Sequence, residues 1–500
     1  MTRPDVDVAI IGAGFAGLGA AIKLLQTGRT SLLVFERANE VGGTWRENTY
    51  PGCACDIPSH LYSFSFAPNP NWSRKFSPQA EILAYLKNCV EQYDLQPYIR
   101  YNTDIIRTEF LADQALWQLT DRAGNVLTAR VVVGATGPLN RPSVPKLKGL
   151  DVFTGKTFHS SNWDHTVDLA GKRVAVIGTG ASAIQIVPEL AKTVSQLSVF
   201  QRTAPYITPR MNTSYSAFWQ GIYRRFPAAQ RVHRHVQYWL NELVGMAFLG
   251  NETISKVATA QSRKHLEASI SDPDLRQKVT PDYKIGCKRV LVSDDYYPAL
   301  NRPNVDLVTE RIAELSPTGI VTRDGTERPV DLIIFSTGFV AADIICDLHI
   351  TGLEGRSLFD EWLKTGPEAY MGMTAEGFPN LVFLVGPNTG LGHNSIVHMI
   401  ESQVAYLLDY LRLLDQAGEN AYLNVKPDVQ RVYNNDIQEQ LNGTVWSSGC
   451  QSWYISQTGR NTTIWPGLTV TYRKLTRRVK PEAYEARRAI NYEAADKITG

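Results

Sequence analysis

The chain has 500 residues, of which 43% are hydrophobic and 20% charged, and its formal net charge is +2. This length exceeds what a single hydrophobic core supports, so we expect two or three domains. The near-neutral charge gives no reason to expect nucleic acid or an anionic membrane as a partner. No apolar run reaches the roughly 20 residues of a membrane helix. The longest candidate, Tyr238 to Leu249, is short and contains Glu242.

The N-terminus and the cysteines indicate a cytoplasmic protein. The first residues, MTRPDVDVAIIGAG, run directly into a strand pattern and leave no room for a signal peptide. Of six cysteines only Cys53 and Cys55 are close in sequence. His60 alone cannot complete a set of metal ligands around them, so no metal site is expected. A disulfide framework is not expected in a chain of this size without a secretion signal, so we predict reduced thiols.

The first recognisable unit is a strand, a glycine turn, a helix and a second strand. Residues 6–11 are a short apolar run typical of a buried parallel strand. The second run, residues 32–35, is followed by Glu36, which lies 19 residues after the last glycine of the turn. This spacing is close to the roughly 20 residues between the glycines and the ribose-binding acid of a dinucleotide fingerprint. We predict an adenine dinucleotide on the helix N-terminus; the turn glycines are Gly12, Gly14 and Gly17.

A glycine- and aromatic-rich stretch follows the first unit. Two adjacent glycines allow backbone to approach a flat ring system, and Trp45 offers a stacking face. Asp56 lies among cysteine, proline and aromatic residues, where a carboxylate needs a partner. The alternative for Asp56 is an ordinary turn-capping aspartate. The candidate cofactor contacts of the first domain, besides the fingerprint, are Gly43, Thr44, Trp45, Asp56, Tyr62 and Thr136.

Between the two nucleotide fingerprints lies a stretch of unusual spacing. A strand pattern ends in Ala135-Thr136-Gly137, and prolines at 138, 142 and 145 mark a connection between domains. Residues 153–164, FTGKTFHSSNWD, then fit neither a helix face nor an alternating strand, so we predict a shaped loop. The alternative is a plain linker that buries two aromatics. The residues concerned are Phe153, Gly155, His159, Trp163 and Asp164.

A second strand, turn and helix begins at residue 172. Its turn has the form G-x-G-x-x-A, and the next strand ends in Gln201-Arg202-Thr203 without an acid. An acid there would bond a free ribose 2′-hydroxyl, whereas Arg202 suits a 2′-phosphate. We therefore expect FAD in the first site and NADPH in the second, because two NAD sites would leave Arg202 without a role. The turn and strand-end residues are Gly178, Gly180, Ser182, Arg202 and Thr203.

The remaining chain contains a helical segment and a return to the first domain. Residues 215–280 have mixed helical periodicity and many charges, and no aromatic array that would indicate nucleic-acid binding. The adjacent cations Lys288 and Arg289 are either site residues or a solvated pair. Residues 331–339 are a strand pattern that closes the second domain, and GLGHNS at 390–395 precedes a long helix. The charged tail from Lys474 is expected to be a surface helix.

These patterns predict an α/β protein with two Rossmann-like dinucleotide-binding domains, for FAD and NADP, and a helical insertion in the second. The FAD-binding domain would be discontinuous, comprising residues 1–145 and 340–500. The NADP-binding domain would comprise residues 146–339, with the insertion at 215–280.

With its two fingerprints and the motif between them, the chain closely resembles the type I Baeyer–Villiger monooxygenases. The resemblance runs from about residue 6 to about residue 470 and includes GGTWRENTYPGCACD, CKR at 287–289, STGF at 336–339 and GPNTGLGHNS at 386–395. The related flavin monooxygenases that oxygenate nitrogen or sulfur share the fingerprints and a similar central motif. Trp163 followed by Asp164 favours the Baeyer–Villiger branch, as do Lys288-Arg289 and Asp56.

The resemblance implies a reaction. NADPH would reduce FAD, the reduced flavin would take up O₂ as a C4a-peroxide, and the peroxide would convert a ketone into an ester or lactone. Arg289 matches the family's active-site arginine, and Asp56 matches the carboxylate paired with it. Sulfides would be a second class of substrate. One departure is Val340, which stands where many members have a hydrophilic residue.

The resemblance also implies roles in NADP binding. Lys288 and Arg202 would bind the 2′-phosphate, and Trp453 would contact the nicotinamide ribose. His159 and Trp163 would belong to a domain connection that moves with NADP, and His159 would not be a general base.

Three other functions compete with this interpretation. The first is a flavin monooxygenase that prefers nitrogen or sulfur substrates. The second is a disulfide reductase, which would need Cys53 and Cys55 as a redox pair although they have C-x-C spacing. The third is a non-catalytic cofactor-binding protein, which is hard to reconcile with so many charged site residues.

Overall fold

The computed structural model describes residues 3–340, 348–450 and 452–489. Its strands are β1 (Val6–Ile11), β2 (Leu32–Phe35), β3 (Ile99–Arg100), β4 (Ile105–Leu111), β5 (Leu116–Asp121), β6 (Val126–Gly134), β7 (Lys156–His159), β8 (Arg173–Ile177), β9 (Gln196–Phe200), β10 (Ile207–Thr208), β11 (Leu291–Val292), β12 (Val305–Val308), β13 (Ile312–Ser316), β14 (Gly319–Thr322), β15 (Glu327–Pro329), β16 (Leu332–Phe335), β17 (His349–Thr351), β18 (Leu381–Phe383), β19 (Ala421–Val425) and β20 (Tyr484–Arg488). Its helices are α1 (Phe15–Gln26), α2 (Thr44–Glu47), α3 (Gln79–Gln92), α4 (Ala183–Leu190), α5 (Ala217–Arg225), α6 (Pro227–Phe248), α7 (Glu252–Ser269), α8 (Pro273–Lys278), α9 (Tyr296–Leu300), α10 (Leu358–Thr365), α11 (Ile396–Ala417), α12 (Pro427–Asn442) and α13 (Thr469–Leu475).

The larger sheet has the strand order β17-β4-β5-β6-β1-β2-β3, and β18 also pairs with β6. Strand β1 lies parallel between β6 and β2, with Ile10 opposite Val133 and Val34. All three side chains are fully buried, because such a strand is covered on both faces. The glycine turn after β1 therefore lies at the carboxyl edge of the sheet, where open α/β sheets bind their ligands.

The second sheet repeats this arrangement. Its five strands have the order β12-β9-β8-β16-β7, and every pairing is parallel. Strand β8 lies between β9 and β16, so the second glycine turn also follows a central strand. The two parallel cores confirm the predicted α/β fold with two Rossmann-like units.

The central stretch is not the shaped loop that we predicted. Lys156–His159 form β7, the edge strand of the second sheet, with Lys156 opposite Leu332 and His159 opposite Phe335. Lys156 and Thr157 are exposed, and His159 is buried. Strand β7 has only four residues and lies at the edge of the sheet. Its sequence therefore lacks the alternation of apolar and polar residues from which we predict strands.

The C-terminal tail also differs from the prediction of a surface helix beginning at Lys474. Helix α13 ends at Leu475, and Tyr484–Arg488 pair antiparallel with β19. Tyr484 is buried and its hydroxyl lies within hydrogen-bond distance of Thr374 and Tyr406. The pairing with β19 and the buried Tyr484 fix this segment as a strand, although its polar composition suggested a helix. Residues 490–500 lie outside the described part of the chain.

The segment 215–280 forms α5 to α8, as the periodicity indicated.

The two chain crossings between the sheets lie side by side. Val340 donates a backbone hydrogen bond to Arg141 at 3.0 Å, and Ser143 donates one to Gly338 at 2.8 Å. Each crossing therefore holds the other in place near the carboxyl edges of both sheets.

Candidate active site

The first glycine turn forms a cradle of bare backbone. Gly12 has a φ of +107°, and a Cβ built on it would lie 2.6 Å from the carbonyl oxygen of Ala135. A Cβ on Gly17 would lie 1.9 Å from the Gly12 oxygen, so neither position accepts a side chain. Gly14 is the N-cap of α1 and gives no side-chain cap to the first amides of the helix. These amides are the donors that a pyrophosphate requires.

Glu36 lies at the end of β2 beside this cradle. Its two carboxylate oxygens accept hydrogen bonds from the amides of Ala13 at 2.9 Å and Ala38 at 3.0 Å, and its side chain is buried. Each oxygen keeps a further acceptor position for a ribose hydroxyl. Gly43 closes the cradle, since a Cβ on it would lie 3.2 Å from the Gly14 Cα. The arrangement fits the adenosine and pyrophosphate of a dinucleotide.

Trp45 and Tyr62 form a fixed aromatic wall after the cradle. Trp45, in the short helix that Thr44 begins, donates its indole N–H to the Tyr62 hydroxyl at 3.2 Å, and the two rings lie 5.6 Å apart at a steep angle. Burial raises the pKa of Tyr62, which keeps its hydroxyl protonated. Such a pair can border a flat ring system. At the end of the neighbouring strand, Asn140 holds the carbonyl oxygen of Thr136 at 3.0 Å.

The structure brings Asp56 and Arg289 together across 233 residues of sequence. The Nη2 of Arg289 donates to Oδ2 of Asp56 at 2.5 Å, and the side chains are 39% and 22% exposed. The charge of Asp56 raises the pKa of Arg289 against the opposing effect of burial. The guanidinium is thus a permanent, oriented cation in a partly open site.

Two residues beside this pair were not found from the sequence. Arg210 donates to the carbonyl oxygen of Cys55 at 2.9 Å, and burial lowers its pKa while the nearby Asp56 opposes that shift. Tyr454 is almost fully buried, and burial raises its pKa to about 12 against the charge of Arg289. Arg210 has no sequence signal of its own. Tyr454 had one, because it follows Trp453, whose half-exposed ring lies 4.5 Å from that of Tyr454.

The second glycine turn has the same design as the first. Gly178 has a φ of +114°, and a Cβ on it would lie 2.3 Å from the carbonyl oxygen of Ser336. A Cβ on Gly180 would meet nothing within 4 Å, so this part of the turn is open. Ser182 caps α4 without a side-chain hydrogen bond. Thr179 donates to the carbonyl oxygen of Thr203 at 3.1 Å, which joins the turn to the end of β9.

Arg202 and Lys288 form a cationic corner near the second turn. Arg202 is exposed and Lys288 is half-buried. Burial and the charge of Arg202 lower the pKa of Lys288, while Asp282 opposes the shift. The Lys288 ammonium lies 4.9 Å from the centre of the Tyr283 ring. Two neighbouring cations that repel each other favour a bound anion such as a phosphate.

Gln185 joins the two cradles. From α4, its side-chain oxygen accepts from the Tyr50 hydroxyl at 3.1 Å and its amide donates to the Ala54 carbonyl at 3.0 Å. A Cβ on Gly52 would lie 2.6 Å from the Gln185 carbonyl oxygen, so the chain passes closely over the helix. The helix of the second fingerprint therefore positions the segment that carries Asp56.

The central motif makes structural contacts. His159 is buried, accepts from the Ser161 amide at 3.2 Å, and lies 5.5 Å from the ring of Phe339 on the second crossing. Burial lowers the pKa of His159, so its ring is neutral near pH 7. Trp163 packs 5.1 Å from Phe158.

The other motif residues also have local partners. Phe153 is buried in the core of the second sheet, and a Cβ on Gly155 would lie 2.5 Å from the Phe153 ring. Asp164 accepts from the Thr166 amide at 2.9 Å and from Lys156 at 3.2 Å. The hydrogen bonds from Thr166 and Lys156 lower its pKa to about 2.

The prediction of reduced thiols is wrong for one pair. Cys287 and Cys450 form a disulfide with Cα atoms 6.2 Å apart, and 163 residues separate them in sequence. A pairing over that distance leaves no mark in local spacing. The bond ties the segment of Trp453 to the residue that precedes Lys288 and Arg289. Cys346 lies outside the described residues.

Cys53, Cys55 and Cys89 are free and buried. Burial raises the pKa of Cys53 to about 12 and that of Cys89 to about 11, and it raises that of Cys55 as well. Thiolates are the reactive form of cysteine, so this environment argues against the disulfide-reductase alternative. Within residues 3–340, 348–450 and 452–489, no three His, Cys, Asp or Glu side chains are grouped to hold a metal ion. No helix of that part is long and apolar enough to cross a bilayer.

Two dinucleotide cradles, joined through one helix and flanked by a half-buried arginine–carboxylate pair, define a two-nucleotide oxidoreductase. The FMO-like family, described as flavin-binding monooxygenase-like, matches residues 5–351. A Baeyer–Villiger monooxygenase of Streptomyces coelicolor is 47% identical over 99% of this chain and 96% of its own length. One of Pseudomonas aeruginosa is 51% identical over 95% of this chain and 90% of its own.

Solved structures agree with these relatives. The structure of OTEMO in complex with FAD and NADP superposes with a TM-score of 0.87 and 29% identity, covering 97% of this chain and 100% of that one. The chain therefore belongs to the flavin-binding monooxygenase-like family and, within it, to the type I Baeyer–Villiger monooxygenases.

Proposed function

We propose that the protein is a FAD- and NADPH-dependent monooxygenase that inserts one oxygen atom of O₂ next to a ketone carbonyl, giving an ester or lactone. The observation that carries the proposal is the ion pair between Asp56 and Arg289. The pair lies near Tyr62 of the first cradle and on the segment that Gln185 links to the second. Bound FAD, reduced by NADPH, supplies the activated oxygen. The residues of this chain supply binding, orientation and charge.

Arg289 stabilises the negative charge that develops on oxygen when a ketone carbonyl is attacked. Its guanidinium is charged at every working pH and is held by Asp56 at 2.5 Å. Removing one such donor costs about 2.7–4 kcal/mol, or roughly 10²–10³ in rate. Asp56 fixes the orientation of Arg289 and balances its charge in a partly desolvated site. Arg210 places a second positive charge close to Asp56.

The cofactors are assigned to the two cradles. The FAD ribose is bound by Glu36, and the flavin ring is bordered by Trp45 and Tyr62. The 2′-phosphate of NADPH is bound by Arg202 and Lys288, whose mutual repulsion it relieves. Backbone and turn contacts are assigned to Gly12, Gly14, Gly17, Gly43, Thr44 and Thr136 for FAD, and to Gly178, Gly180, Ser182 and Thr203 for NADPH; Trp453 contacts its nicotinamide ribose.

Sulfides are a second substrate class, and they give a test of the role of Arg289. Oxygen transfer to an uncharged sulfide forms no carbonyl adduct, so it depends less on a cation at this place. The variant Arg289→Ala should lose ketone oxygenation by about 10²-fold or more, with NADPH oxidation and H₂O₂ release continuing. Sulfide oxygenation should fall less.

The experiment uses the purified yellow protein with NADPH in air, and it follows O₂ uptake, H₂O₂ and product mass. The matched control is Arg263→Ala, an exposed arginine of α7 paired with Glu267 at 2.9 Å. Unchanged ketone oxygenation in Arg289→Ala would sink the proposal. Wild-type protein that oxygenates only sulfides or amines would favour the N- or S-oxygenating alternative.

The domain limits and the location are part of the proposal. The strands of the larger sheet come from residues 6–134 and 349–383, and those of the second come from 156–335. This supports an FAD domain of 1–145 and 340–500 and an NADP domain of 146–339, with 215–280 as its insertion and the central motif as its linker. A cytoplasmic location suits the use of NADPH.

A further inference from the structure

Helices α5 and α6 present an unusual number of large apolar side chains to solvent. Val232, Val236, Trp239 and Leu243 of α6 recur at intervals of four, three and four residues, and each is at least 50% exposed. They therefore lie on one face of the helix. We call this the apolar face; its further members are Phe218, Trp219, Phe226, Leu240, Val244 and Met246, which are between 38% and 69% exposed.

The apolar face lines an open groove. The groove has a volume of about 850 Å³ and runs along α6 between Arg231 and Met246, with Leu468, just before α13, on its other side. Scattered apolar residues are normal on protein surfaces, but a contiguous patch of this kind marks an interaction site.

The exposed charged side chains of α5 and α6 are of one sign. Arg224, Arg225 and Arg231 are exposed on α5 and α6, and Arg473 lies nearby on α13, where its charge reaches Tyr238. Between residues 215 and 248 the only acid is Glu242, which is buried and bonded to Asn394 and Thr469. The near-neutral net charge of the chain conceals this local excess of arginine.

We propose that the apolar face docks on an anionic lipid surface, with α6 lying in the plane of the interface. Tryptophan and aliphatic side chains on one face, with arginines beside them, are the composition of helices that lie in the headgroup region. The arginines would pair with lipid phosphates. The proposal rests on the local distribution of charge, since the net charge of the chain gives no reason to expect an anionic membrane.

A second copy of the chain fits the face less well. The seam of intervals four, three and four covers only about two heptads, whereas a coiled coil needs three or four. The apolar stripe also extends sideways to Leu240 and Val244, beyond the width of such a seam. Arginines on the rim would find no exposed acid between residues 215 and 248 of a two-fold partner. The lipid surface satisfies both the apolar side chains and the charge.

The test is flotation of the purified holoenzyme with vesicles of phosphatidylcholine, alone or with added phosphatidylglycerol. The wild type should float with the anionic vesicles and lose binding as salt is raised. The double variant Trp239→Ser, Leu243→Ser should bind about tenfold or more weakly. Arg224→Gln with Arg225→Gln should weaken binding and reduce its salt dependence. The control is Val126→Ser, a 57% exposed valine at the start of β6, which should bind like the wild type.

Two results would overturn the inference. One is wild-type protein that does not float with either vesicle. The other is a wild-type oligomer that Trp239→Ser with Leu243→Ser converts to monomer, which would make the apolar face a contact between copies. Oxidation of NADPH by the double variant without vesicles should match the wild type and shows that the variant is folded. The inference does not depend on the substrate proposed above.

Discussion

Glu242 is the side chain that ties α6 to the C-terminal part of the chain, and its replacement by glutamine tests that tie. Its carboxylate accepts hydrogen bonds from the Asn394 amide at 2.6 Å, the Thr469 hydroxyl at 2.5 Å and the Val470 amide at 3.2 Å. His393 Nε2 lies 3.4 Å from the same carboxylate. Glu242 itself is 2% exposed, so the ion has exchanged water for protein donors.

The pKa of Glu242 gives the size of the effect. Burial raises it, but the contacts with His393, Thr469, Asn394 and Val470 outweigh burial and lower it from 4.5 to about 2. At 1.36 kcal/mol per unit, the ionised form is favoured by about 3 kcal/mol in the folded protein. Glutamine keeps the shape of the side chain but removes its charge. Its amide group is also a hydrogen-bond donor, and it would face the groups that now donate to the carboxylate. Glu242→Gln should therefore weaken the attachment of α6 by about 3 kcal/mol near pH 7.

The effect should depend on pH with a defined sign. Because the folded-state pKa lies below the ordinary 4.5, the stabilisation is complete above that pH and is lost as the pH falls towards about 2. The difference between wild type and Glu242→Gln should thus be constant at neutral pH and shrink below pH 4.5.

Hydrogen exchange followed by mass spectrometry measures this attachment locally and does not require two-state unfolding of the whole chain. Amides of α6 and of residues 464–475 should exchange about 10²-fold faster in Glu242→Gln. The control is Glu252→Gln, whose exposed pair with Lys256 at 3.6 Å should contribute nothing measurable. Equal protection of α6 in the wild type and in Glu242→Gln would refute the reasoning.

Three further outcomes concern the site. Lys288→Ala should raise the KM for NADPH by about tenfold or more, because the contact with the 2′-phosphate is lost. The KM for NADH, which has no 2′-phosphate, should not change. Equal effects on both KM values would show that Lys288 does not bind the 2′-phosphate. Cys450→Ser should raise the KM for NADPH, because it releases the Trp453 segment from Cys287. Cys89→Ser is the control. Identical kinetics of Cys450→Ser and the wild type would show that the disulfide has no such role. Tyr454→Phe should leave the pH–rate profile unchanged below pH 10, since burial holds the pKa of this tyrosine at about 12; a lost basic limb would contradict it.

Much of the fold was within reach of the sequence. The strands at 6–11, 32–35 and 197–200 and the helix at 78–93 were predicted within one or two residues. Each has a complete local signal, a short apolar run bounded by turns or a helical period. Strand β7 was missed because one covered side and four residues leave no period. Strand β20 was missed because it pairs with β19, about 60 residues earlier, and only Tyr484 of its five residues is buried.

The same distinction between local and long-range contacts applies to the residues of the site. The two cradles were found because each places its glycines, helix and end-of-strand residue within about 30 residues of chain. For the same reason Glu36 and Arg202, which follow the second strand of each unit, could be compared to predict which ribose carries a 2′-phosphate. The pairing of Asp56 with Arg289 was implied by family resemblance alone, and Arg210 was not found at all. Such contacts join residues 155 to 233 positions apart, where no sequence period operates.

By itself the sequence determined two nucleotide-binding units, their order and the difference between their ribose contacts, because glycine turns and strand ends are set by local backbone geometry. Only the tertiary structure decided which charges are neutralised and which apolar surface remains open. Glu242 and Trp239 both belong to α6, but Glu242 is buried and Trp239 is exposed. The difference arises because other parts of the chain pack against one side of this helix and not against the other. Burial is a property of neighbours brought from distant parts of the chain, so it appears only when the chain has folded.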